Sequence, residues 1–534
     1  MAEHTRRDLL RGAGAAAAVG LTLQATPAAA EEGGGACPPP LGPVVLGPDD
    51  PRYQDLIIRG YNRRFANTPD EIRVVGSTEQ VVAAVQAAVR TGRRLAVRSG
   101  GHCFEGFVDD PSVRMLIDMS GMTRVYHDPR HNAFAVEAGA TLGEVYRRLY
   151  LGWGVTVPAG WCPEVGAGGH VSGGGYGVLC RRHGLAVDHL YGVEVVVVDQ
   201  SGKARSVVAT RESDDPNRDL WWAHTGGGAG TFGVVTRYWF RTPGARGADP
   251  AALLPKPPAS TLSFTVDWPW SDLPDQATFT RLLRNHGQWS ERHSRPDSPY
   301  AGYYSEFLVA RRLAQNITMI GKIAGDADAE RLITEHVAEL SAGVCAPPAP
   351  VFSRQPWLAD ALTGSPGDPG PIFRLQVKSA YLRKPFTDRQ IAVVYEYLNK
   401  DDYPGGLISL NSYGGKVNTV APGATAVAHR DSILKLLFVN GWANGADDAV
   451  RMRWLREFYR ELYADTGGVP APGEVNDGAF INYPDADLAD PEWNTSGVAW
   501  HTLYFGDNYP RLQQIKAHWD PRDVFRHSLS VRPG

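Results

Sequence analysis

Residues 160–190 read GWCPEVGAGGHVSGGGYGVLCRRHGLAVDHL, and this glycine-dense stretch decides the fold class. A loop so rich in glycine exposes successive backbone N–H groups, which can cradle a pyrophosphate without hindrance from side chains. Two further stretches have the same character, VRSGGH at 97–102 and WWAHTGGGAGTFGVVT at 221–236. Glycines clustered in a few loops indicate close approach of the backbone to a ligand and not disorder.

A Rossmann dinucleotide loop is the first alternative for this stretch. Gly166 and Gly168 begin such a fingerprint, and Asp188 lies 20 residues beyond Gly168. The segment between them contains three consecutive glycines and would make a poor helix, so the strand–turn–helix context is missing. The spacing therefore disfavours a Rossmann unit.

Histidine and cysteine residues raise two more alternatives. His102, Cys103, Cys162 and His170 have the ligand chemistry of a zinc site, but no C-x-x-C or H-x₃-H pair supports one. Cys162 as the nucleophile of a Cys–His hydrolase is no better supported, because no base stands at a recognisable spacing. We expect no metal.

The composition is that of a soluble globular protein. A length of 534 residues suggests about two to four domains. The chain has 54 Lys plus Arg against 58 Asp plus Glu and no basic stripe, which disfavours nucleic-acid binding. Beyond the N-terminal region no apolar run approaches the roughly 20 residues that span a bilayer, so we expect no membrane association of the mature protein. The 5 cysteines imply no disulfide framework, and nothing indicates an oligomeric state.

The N-terminal region has the pattern of an export signal. HTRRDLLRGAGAAAAVGLTLQATPAAA places Arg6 and Arg7 before a short apolar run, and residues 28–30 offer an A-x-A-type cleavage site. Paired arginines in this setting predict a twin-arginine signal peptide over residues 1–30 and a secreted protein. Because twin-arginine export carries folded proteins, often with a cofactor bound, the pattern also indicates a cofactor protein.

Local patterns predict a strand–helix–strand unit that ends in the glycines of 97–102. EIRVVG is a strand-like run, Ser77 and Gln80 match a capping box for the helix EQVVAAVQAAVR, and RRLAVRSGG is the next strand. LYGVEVVVVDQSGKARSVVAT predicts a hairpin. Residues 242–260, rich in Pro, Gly and Ala, predict a linker between domains.

Several motifs stand in one order along the chain: VRSGGH, GWCPEVGAGGHVSGGGYG with GLAVDHL, WWAHTGGGAGTFGVVT, YGGKVN, INYPDADL and DPRDVF. In this order and spacing they resemble the FAD-linked oxidases of the berberine-bridge-enzyme type, within the vanillyl-alcohol-oxidase-like flavoproteins. The resemblance covers nearly all of the mature chain. It is greatest for bacterial antibiotic-tailoring oxidases, such as glycopeptide hexose oxidases, tirandamycin oxidase and aclacinomycin oxidoreductase.

The resemblance implies an α+β fold with two parts. A two-part FAD-binding domain of the vanillyl-alcohol-oxidase type surrounds an inserted α+β substrate domain built on an antiparallel sheet. The expected limits are 51–241 for the FAD-binding domain, 261–466 for the substrate domain, and 467–534 for a C-terminal segment that returns to the FAD-binding domain.

The cofactor that the resemblance implies is FAD, bound covalently at two positions. The histidine of R-S-G-G-H links to the flavin 8α-methyl and the cysteine of G-x-C-P links to C6; here these are His102 and Cys162. Cys103 then has no family role. Two anchors fix the isoalloxazine and leave an open face for a bulky substrate. Further expected cofactor contacts are Arg98, Ser99, Gly100, Gly101, Gly166, Gly168, Gly169, His170, Gly173, Gly174, Val235 and Asn482.

For the reaction, the resemblance implies an alcohol that loses its O–H proton while a hydride moves from its carbon to flavin N5. The base in the resembling oxidases is the tyrosine of the N-Y-x-D segment, here Tyr483, and Tyr413 of SYGGKVN is a second active-site tyrosine. A free tyrosine has a pKa of about 10, so neighbours must activate it. Tyr176 of GGGYG is a candidate for the substrate pocket, and some relatives have a further tyrosine where this chain has Phe480.

Val165, the third residue after Cys162, stands at the position that gates oxygen access in the family. A valine there favours O₂ as acceptor and H₂O₂ as product. We therefore expect an oxidase whose partners are O₂ and a small-molecule substrate, a sugar or polyketide alcohol of an antibiotic. Three alternatives stay open: a secreted carbohydrate or oligosaccharide oxidase, a flavin dehydrogenase with another acceptor, and a non-catalytic ligand-binding protein.

Overall fold

The strand–helix–strand unit predicted before residue 100 is present. The computed structural model describes residues 42–324, 328–364, 374–400 and 405–534, and the predicted signal peptide lies outside them. The first four strands are β1 (Val44–Leu46), β2 (Glu71–Val74), β3 (Leu95–Arg98) and β4 (Met115–Asp118). They form a sheet in the order β1-β2-β4-β3, in which β4 pairs parallel to both β2 and β3.

The α-helices of the described residues are mostly short. They are α1 (Tyr53–Ile57), α2 (Thr78–Thr91), α3 (Leu142–Trp153), α4 (Ala167–Ser172), α5 (Cys180–His183), α6 (Arg218–Ala223), α7 (Gln276–Arg292), α8 (Ala329–Ser341), α9 (Trp357–Ala361), α10 (Asp388–Leu398), α11 (Asp448–Leu462), α12 (Trp500–Phe505) and α13 (Tyr509–Trp519). Within the described ranges, none of them combines the length and the apolar character that a bilayer crossing needs.

Helix α2 carries the chain from β2 to β3. Ser77 caps it from an extended conformation, and its Oγ accepts a hydrogen bond from the Gln80 N–H. The Gln80 side chain accepts from the Gly76 N–H at 2.7 Å, and Gly92 ends the helix in the left-handed conformation. These caps fix where β3 begins, and the R-S-G-G-H loop follows directly from the end of that strand.

The second sheet is antiparallel and contains the predicted hairpin. Its strands are β5 (Val125–Asp128), β6 (Ala133–Glu137), β7 (Leu190–Val198), β8 (Ala204–Thr210) and β9 (Val234–Phe240), in the order β5-β6-β9-β7-β8. Strands β7 and β8 form the hairpin, with Val195 opposite Val207. The glycine-rich stretch 160–190 lies in the connection from β6 to β7, where it forms α4 and α5.

The third sheet has seven antiparallel strands. They are β10 (Ser260–Pro269), β11 (Tyr303–Ala310), β12 (Asn316–Ala324), β13 (Val351–Pro356), β14 (Arg374–Leu382), β15 (Leu407–Ser412) and β16 (Leu434–Trp442), in the order β13-β10-β12-β11-β15-β16-β14. Phe438 of β16 packs edge-on against Phe458 and Tyr459 of α11, so this face of the sheet is covered by helix. The residues that alternate with Phe438 along β16, among them Lys435 and Leu437, belong to the opposite, inner face.

The C-terminal segment packs against the loop between α6 and β9. Lys516 of α13 is fully buried, and its Nζ donates to the Thr231 carbonyl at 2.8 Å and to the Phe525 carbonyl at 2.7 Å. Asp520 neutralises this ammonium at 2.6 Å. The expected return of the C-terminal segment to the FAD-binding domain and the expected limits of all three parts stay predictions.

Candidate active site

One cavity of about 440 Å³ collects most of the residues singled out in the sequence. Its walls are the loop after β3, the glycine-rich stretch, the loop before β9, the segment 480–484 and the inner face of the seven-stranded sheet. The expected residues that line it are Arg98, Ser99, Gly100, Gly101, His102, Cys162, Val165, Gly166, Gly168, Gly169, His170, Tyr176, Val235, Asn482 and Tyr483. The lining formed by the described residues does not include Gly173, Gly174 or Tyr413.

The two glycine motifs touch backbone to backbone. A Cβ on Gly100 would overlap the Gly166 amide nitrogen, and a Cβ on Gly166 would overlap Ser99 Oγ. Gly101 has a φ of +83°, which favours glycine. Ser99 Oγ donates to the Ala138 carbonyl at 2.6 Å and so fixes the first motif on β6 and its following turn. A side chain at Gly100 or Gly166 therefore has no room between the loops.

Arg98 places a buried cation beside the two contacting glycine motifs, whose backbone is called the cradle below. Its side chain is 1% exposed, and its Nε donates to Asp118 Oδ2 at 3.1 Å; the same carboxylate also pairs with Arg59 at 2.9 Å. In the described part of the chain, Arg98 Nη1 has no hydrogen-bond partner. Burial lowers the pKa of the guanidinium. An orphaned N–H donor beside a backbone cradle fits the pyrophosphate of a dinucleotide such as FAD.

His102 and Cys162 reach the cavity from two different loops. The His102 ring stacks on Tyr61, with the ring centroids 4.6 Å apart. Cys162 is half-buried and follows Trp161, whose ring lies under the Lys322 ammonium at 4.4 Å. Both loops are therefore packed in place next to the cradle, and both side chains line the same cavity.

The Cys103 thiol is not activated for reaction. Burial raises the pKa of the Cys103 thiol to about 12, so this thiol is protonated and a poor nucleophile. Cys180 is also buried, and its thiol donates to the Pro158 carbonyl at 3.1 Å. Across the ranges that the structure describes, no group of three or more His, Cys, Asp and Glu side chains could hold a metal ion.

His170 orders the loop that carries Cys162. The Gly160 N–H donates to His170 Nε2 at 3.1 Å, so this ring nitrogen is unprotonated. Burial lowers the pKa of the imidazole to about 4. Asn482 Nδ2 donates to the His170 carbonyl at 2.9 Å, and its amide packs on Gly173, where a Cβ would overlap it. A neutral histidine thus links the cysteine loop to the tyrosine-bearing segment.

Val165 lies on the same turn as Cys162. It is half-buried, lines the cavity, and its N–H donates to the Cys162 carbonyl at 3.3 Å. Its oxygen-gating role stays a prediction. Gly174 lies in the layer behind the cavity with a φ of +116°, and a Cβ there would lie 2.9 Å from Val427.

Tyr483 lies in an aromatic pocket at the inner face of the sheet. Its ring packs edge-on against Phe480 at 5.1 Å and tilted against Phe104 at 5.6 Å. Lys435 Nζ lies 4.0 Å from the centre of the Tyr483 ring. Burial raises the pKa of the Tyr483 phenol, and the charge of Glu306 raises it further. The ammonium opposes both effects, because a cation near the ring stabilises the phenolate.

Sequence reasoning singled out neither Lys435 nor Glu306. Lys435 is fully buried in the apolar run SILKLLFVN, and Glu306 lines the cavity from β11, where the Tyr304 hydroxyl donates to it at 2.5 Å. Burial lowers the pKa of Lys435 to about 7 and raises the pKa of Glu306. The sequence does contain a pattern that could have indicated both residues, namely a single charged residue within an otherwise apolar strand.

Tyr176 and Tyr413 stack one behind the other. The Tyr176 ring lies under the Lys435 ammonium at 4.5 Å, and its hydroxyl donates to the Ser412 carbonyl at 2.5 Å. Tyr413 packs behind it at 5.6 Å and donates to the His429 carbonyl at 3.1 Å. The structure therefore places Tyr176 at the cavity and Tyr413 one ring further away, and the proton-sharing role of Tyr413 stays a prediction.

The cavity has two functional halves. One half is a backbone cradle with a buried guanidinium, and the other presents a tyrosine with a neighbouring ammonium in apolar surroundings. Such a site defines a dinucleotide-dependent oxidoreductase, which orients a cofactor against a substrate that must lose a proton and a hydride. Residues 69–207 match the family model of an FAD binding domain, and residues 479–532 match the model described as berberine and berberine like.

Known proteins are similar over almost the whole chain. Aclacinomycin-N/aclacinomycin-A oxidase of Streptomyces galilaeus is 55% identical, with 99% of each chain covered. The hexose oxidase of Chondrus crispus is 32% identical, with 90% of this chain and 93% of the relative covered. A solved structure of glycopeptide hexose oxidase complexed with teicoplanin is 53% identical with a TM-score of 0.89, and covers 93% of this chain and 100% of its own.

The chain belongs to the berberine-bridge-enzyme-like family of FAD-linked oxidases. It is an FAD-linked oxidoreductase of the α+β class. The predicted family and the predicted fold class are both confirmed.

Proposed function

We propose that this protein is a secreted oxidase that carries FAD on His102 and Cys162 and oxidises a hydroxyl group of a secondary metabolite. The observation that carries the proposal is Tyr483, which lines the same cavity as both anchors and has an ammonium 4.0 Å from its ring centre. The proposed substrate is a sugar or polyketide alcohol of an antibiotic. Similarity to an aclacinomycin oxidase at 55% identity and to a glycopeptide hexose oxidase at 53% supports this class.

The proposed anchors are His102 to the 8α-methyl carbon and Cys162 to C6. FAD held by these two residues would supply a hydride acceptor for the substrate carbon and a route for the two electrons to O₂, giving H₂O₂. His102 stacked on Tyr61 and Cys162 on a loop ordered by His170 support rigid attachment. Rigid attachment keeps the reacting atoms oriented while the substrate side of the cavity stays open.

Tyr483 is the proposed base. The substrate hydroxyl gives its proton to the Tyr483 phenolate oxygen, and the electron pair left on the substrate oxygen promotes departure of the hydride from the carbon. Burial opposes the phenolate, and the Lys435 ammonium favours it. Tyr176, on the same ammonium at 4.5 Å, completes the pocket that receives the hydroxyl.

Part of the remaining cavity wall is apolar. Leu308, Leu407, Leu437 and Val439 line it from three neighbouring strands of the sheet. Such a surface favours an extended apolar ring system beside the oxidised hydroxyl. Val165, which lines the cavity at the position that the resemblance associates with oxygen access, supports O₂ as the acceptor.

A peroxide assay with the purified holoenzyme tests the proposal. Three substrate sets are compared in air: glycosylated aromatic polyketides, glycopeptides and free sugars. H₂O₂ formation with either of the first two sets, lost in Tyr483→Phe, supports the proposal. Substrate-dependent bleaching of the flavin without H₂O₂ in air indicates a dehydrogenase, and absence of bleaching with every set refutes an oxidase of these alcohols.

A carbohydrate oxidase is the second candidate function. Similarity to a hexose oxidase at 32% identity over 90% of this chain favours it. It requires the same base and the same anchors, so the chemistry does not separate the two candidates. If kcat/KM is higher for free sugars than for every glycosylated aromatic compound, the protein is a carbohydrate oxidase and not an oxidase of secondary metabolites.

Export is proposed from the paired Arg6 and Arg7, which lie outside the described residues. Twin-arginine transport would carry the folded, flavin-loaded protein. The test compares the wild-type chain with an Arg6→Lys/Arg7→Lys variant, which should accumulate inside the cell. Equal secretion of both chains would contradict this route.

A further inference from the structure

A row of polar residues crosses the inner face of the sheet beside Tyr483. Glu306 of β11 pairs with Asn411 of β15, which pairs with Lys435 of β16. Residues directly opposite on neighbouring antiparallel strands project to the same face. The row therefore places a carboxylate and an ammonium on either side of one amide, and its Glu306 end lies in the cavity wall.

Lys435 has no hydrogen bond that explains its burial. It is fully buried, and among the described residues its Nζ has no hydrogen-bond partner. Three rings surround the ammonium, those of Tyr483 at 4.0 Å, Tyr176 at 4.5 Å and Phe480 at 5.2 Å. A buried ammonium without a hydrogen-bonded partner is strongly destabilised unless an opposite charge lies near.

The other titratable groups that face Lys435 supply no such charge. On α5, burial raises the pKa of the Cys180 thiol far above neutrality, so the thiol is protonated. On α4, the His170 imidazole is neutral because burial lowers its pKa to about 4. The phenols of Tyr176 and Tyr483 have raised pKa values in the same surroundings.

Glu306 is the carboxylate that faces this ammonium within the described part of the chain. Its pKa is raised by burial and lowered by Lys435 and Lys322, and it accepts a hydrogen bond from Tyr304. Lys322 of β12 already forms an ion pair with Asp360 at 2.8 Å. Because Asp360 neutralises Lys322, the Glu306 carboxylate is available to stabilise the positive charge of Lys435.

We propose that Glu306, acting through Lys435, sets the pH at which the Lys435–Tyr483 pair loses its proton and becomes an active base. The inference rests on the proposed function, in which Tyr483 takes the substrate proton. Glu306 is a positioning residue: it holds positive charge at Lys435 and exchanges no proton with the substrate. The proton taken from the hydroxyl stays on the pair, whose apparent pKa belongs to both groups together.

The Glu306 carboxylate shifts the pKa of Lys435 and the pKa of Tyr483 in the same direction. A carboxylate near Lys435 favours the protonated amine, and near Tyr483 it disfavours the phenolate. Removing its charge makes either proton easier to lose. The acid limb of kcat/KM, along which activity rises with pH, therefore moves to lower pH.

The first measurement is the pH profile of kcat/KM for the holoenzyme. We expect Glu306→Gln to move the acid limb down by about one pH unit, equivalent to a tenfold change in the proton affinity of the pair. Glu306→Asp restores the charge and should restore the wild-type limb. Glu396→Gln, at an exposed position of α10 outside the cavity lining, removes a carboxylate charge elsewhere and should leave the acid limb in place. An unchanged limb in Glu306→Gln overturns the proposal.

A second measurement needs no substrate. The midpoints of thermal unfolding are compared for wild type, Glu306→Gln, Lys435→Met and the double variant. Because each single variant leaves one charge buried alone, the double variant should lose less than the sum of the two single losses. If the decrease in the unfolding midpoint of the double variant equals the sum of the two single decreases, Glu306 and Lys435 do not act as a pair and the proposal is overturned. If no alcohol is oxidised, the proposed function fails, whereas this cycle still decides whether Glu306 and Lys435 act as a pair.

Discussion

The ammonium of Lys435 lies 4.0 Å from the ring centre of Tyr483; Lys435 is fully buried and Tyr483 is half-buried. Replacing Lys435 by methionine keeps the apolar stem and removes the charge. The phenolate then loses its stabilising cation, so we expect kcat/KM to fall by about 100-fold. Stopped-flow measurement of flavin reduction checks this, with Lys435→Arg as the control that keeps a cation. Wild-type reduction rates in Lys435→Met would contradict a role for the charge.

Tyr483→Phe removes the hydroxyl and keeps the ring. Loss of a general base slows reaction by about 10²- to 10⁴-fold, so we expect reduction of the flavin by substrate to fall within that range. The visible absorption of the bound flavin should be unchanged, because Phe480 and Phe104 still pack on the ring. Phe480→Leu is the matched control and should lose much less activity. Comparable losses in both variants would assign Tyr483 a packing role only.

The two proposed anchors make a simple prediction about denatured protein. After acid precipitation, wild type and each of His102→Ala and Cys162→Ala should keep the yellow colour in the pellet, because one bond suffices to retain the flavin. The double variant should release it to the supernatant. Cys103→Ser is the control, since the Cys103 thiol is protonated and unreactive. A colourless wild-type pellet would refute covalent attachment.

Buried neutral histidines predict acid lability. His286 is fully buried, both of its ring nitrogens lack a hydrogen-bond partner among the described residues, and burial lowers its pKa to about 3. An unfolded histidine has a pKa of about 6.5, so below pH 6.5 the unfolded chain binds a proton that the native chain does not. The free energy of unfolding therefore falls as pH falls from 6.5 towards 3, by about 1.4 kcal/mol per pH unit for this group.

His286→Phe tests that contribution. The phenyl ring can keep the stack on Phe307, whose centroid lies 4.6 Å from the imidazole. Denaturant unfolding at pH 7.5 and pH 5 should show a smaller loss of stability in His286→Phe than in wild type. His518→Phe, at an exposed position, should retain the wild-type loss. An equal loss in all three proteins would exclude His286 as a source of the acid lability.

The contact between the two glycine motifs predicts sensitivity to one methyl group. Gly166→Ala would drive a Cβ into Ser99 Oγ, so we expect the cradle to open and flavin content after purification to fall severalfold. Gly152→Ala is the control, because nothing lies within 4 Å of a Cβ at that position. Full flavin content in Gly166→Ala would show that the two loops can separate without loss of the cofactor.

Short motifs carried the part of the site that the sequence predicted. His102 and Cys162 were assigned through the family resemblance of those motifs, and the structure brings both to one cavity with Tyr483, while their roles stay predictions. The caps of α2 and the β7–β8 hairpin follow from neighbouring residues in the same way.

Lys435 and Glu306 could not be located in that way, because they meet through pairing of strands far apart in sequence. Their alignment depends on the order of β11, β15 and β16, which no local pattern encodes. Tyr413 shows the converse. Its motif is recognisable, yet the distance between a side chain and the cavity depends on packing, and here the Tyr176 ring stands between them.

The buried Lys516 ammonium, bonded to the Thr231 and Phe525 carbonyls, has a consequence for how the holoenzyme is made. The cavity wall includes Tyr61 and His527, from distant parts of the chain. During synthesis on the ribosome, the earlier residues emerge without the wall that completes their binding site. Cofactor loading must then wait until residues near 527 have emerged and folded back, so flavin capture becomes a late event and reports on completed folding.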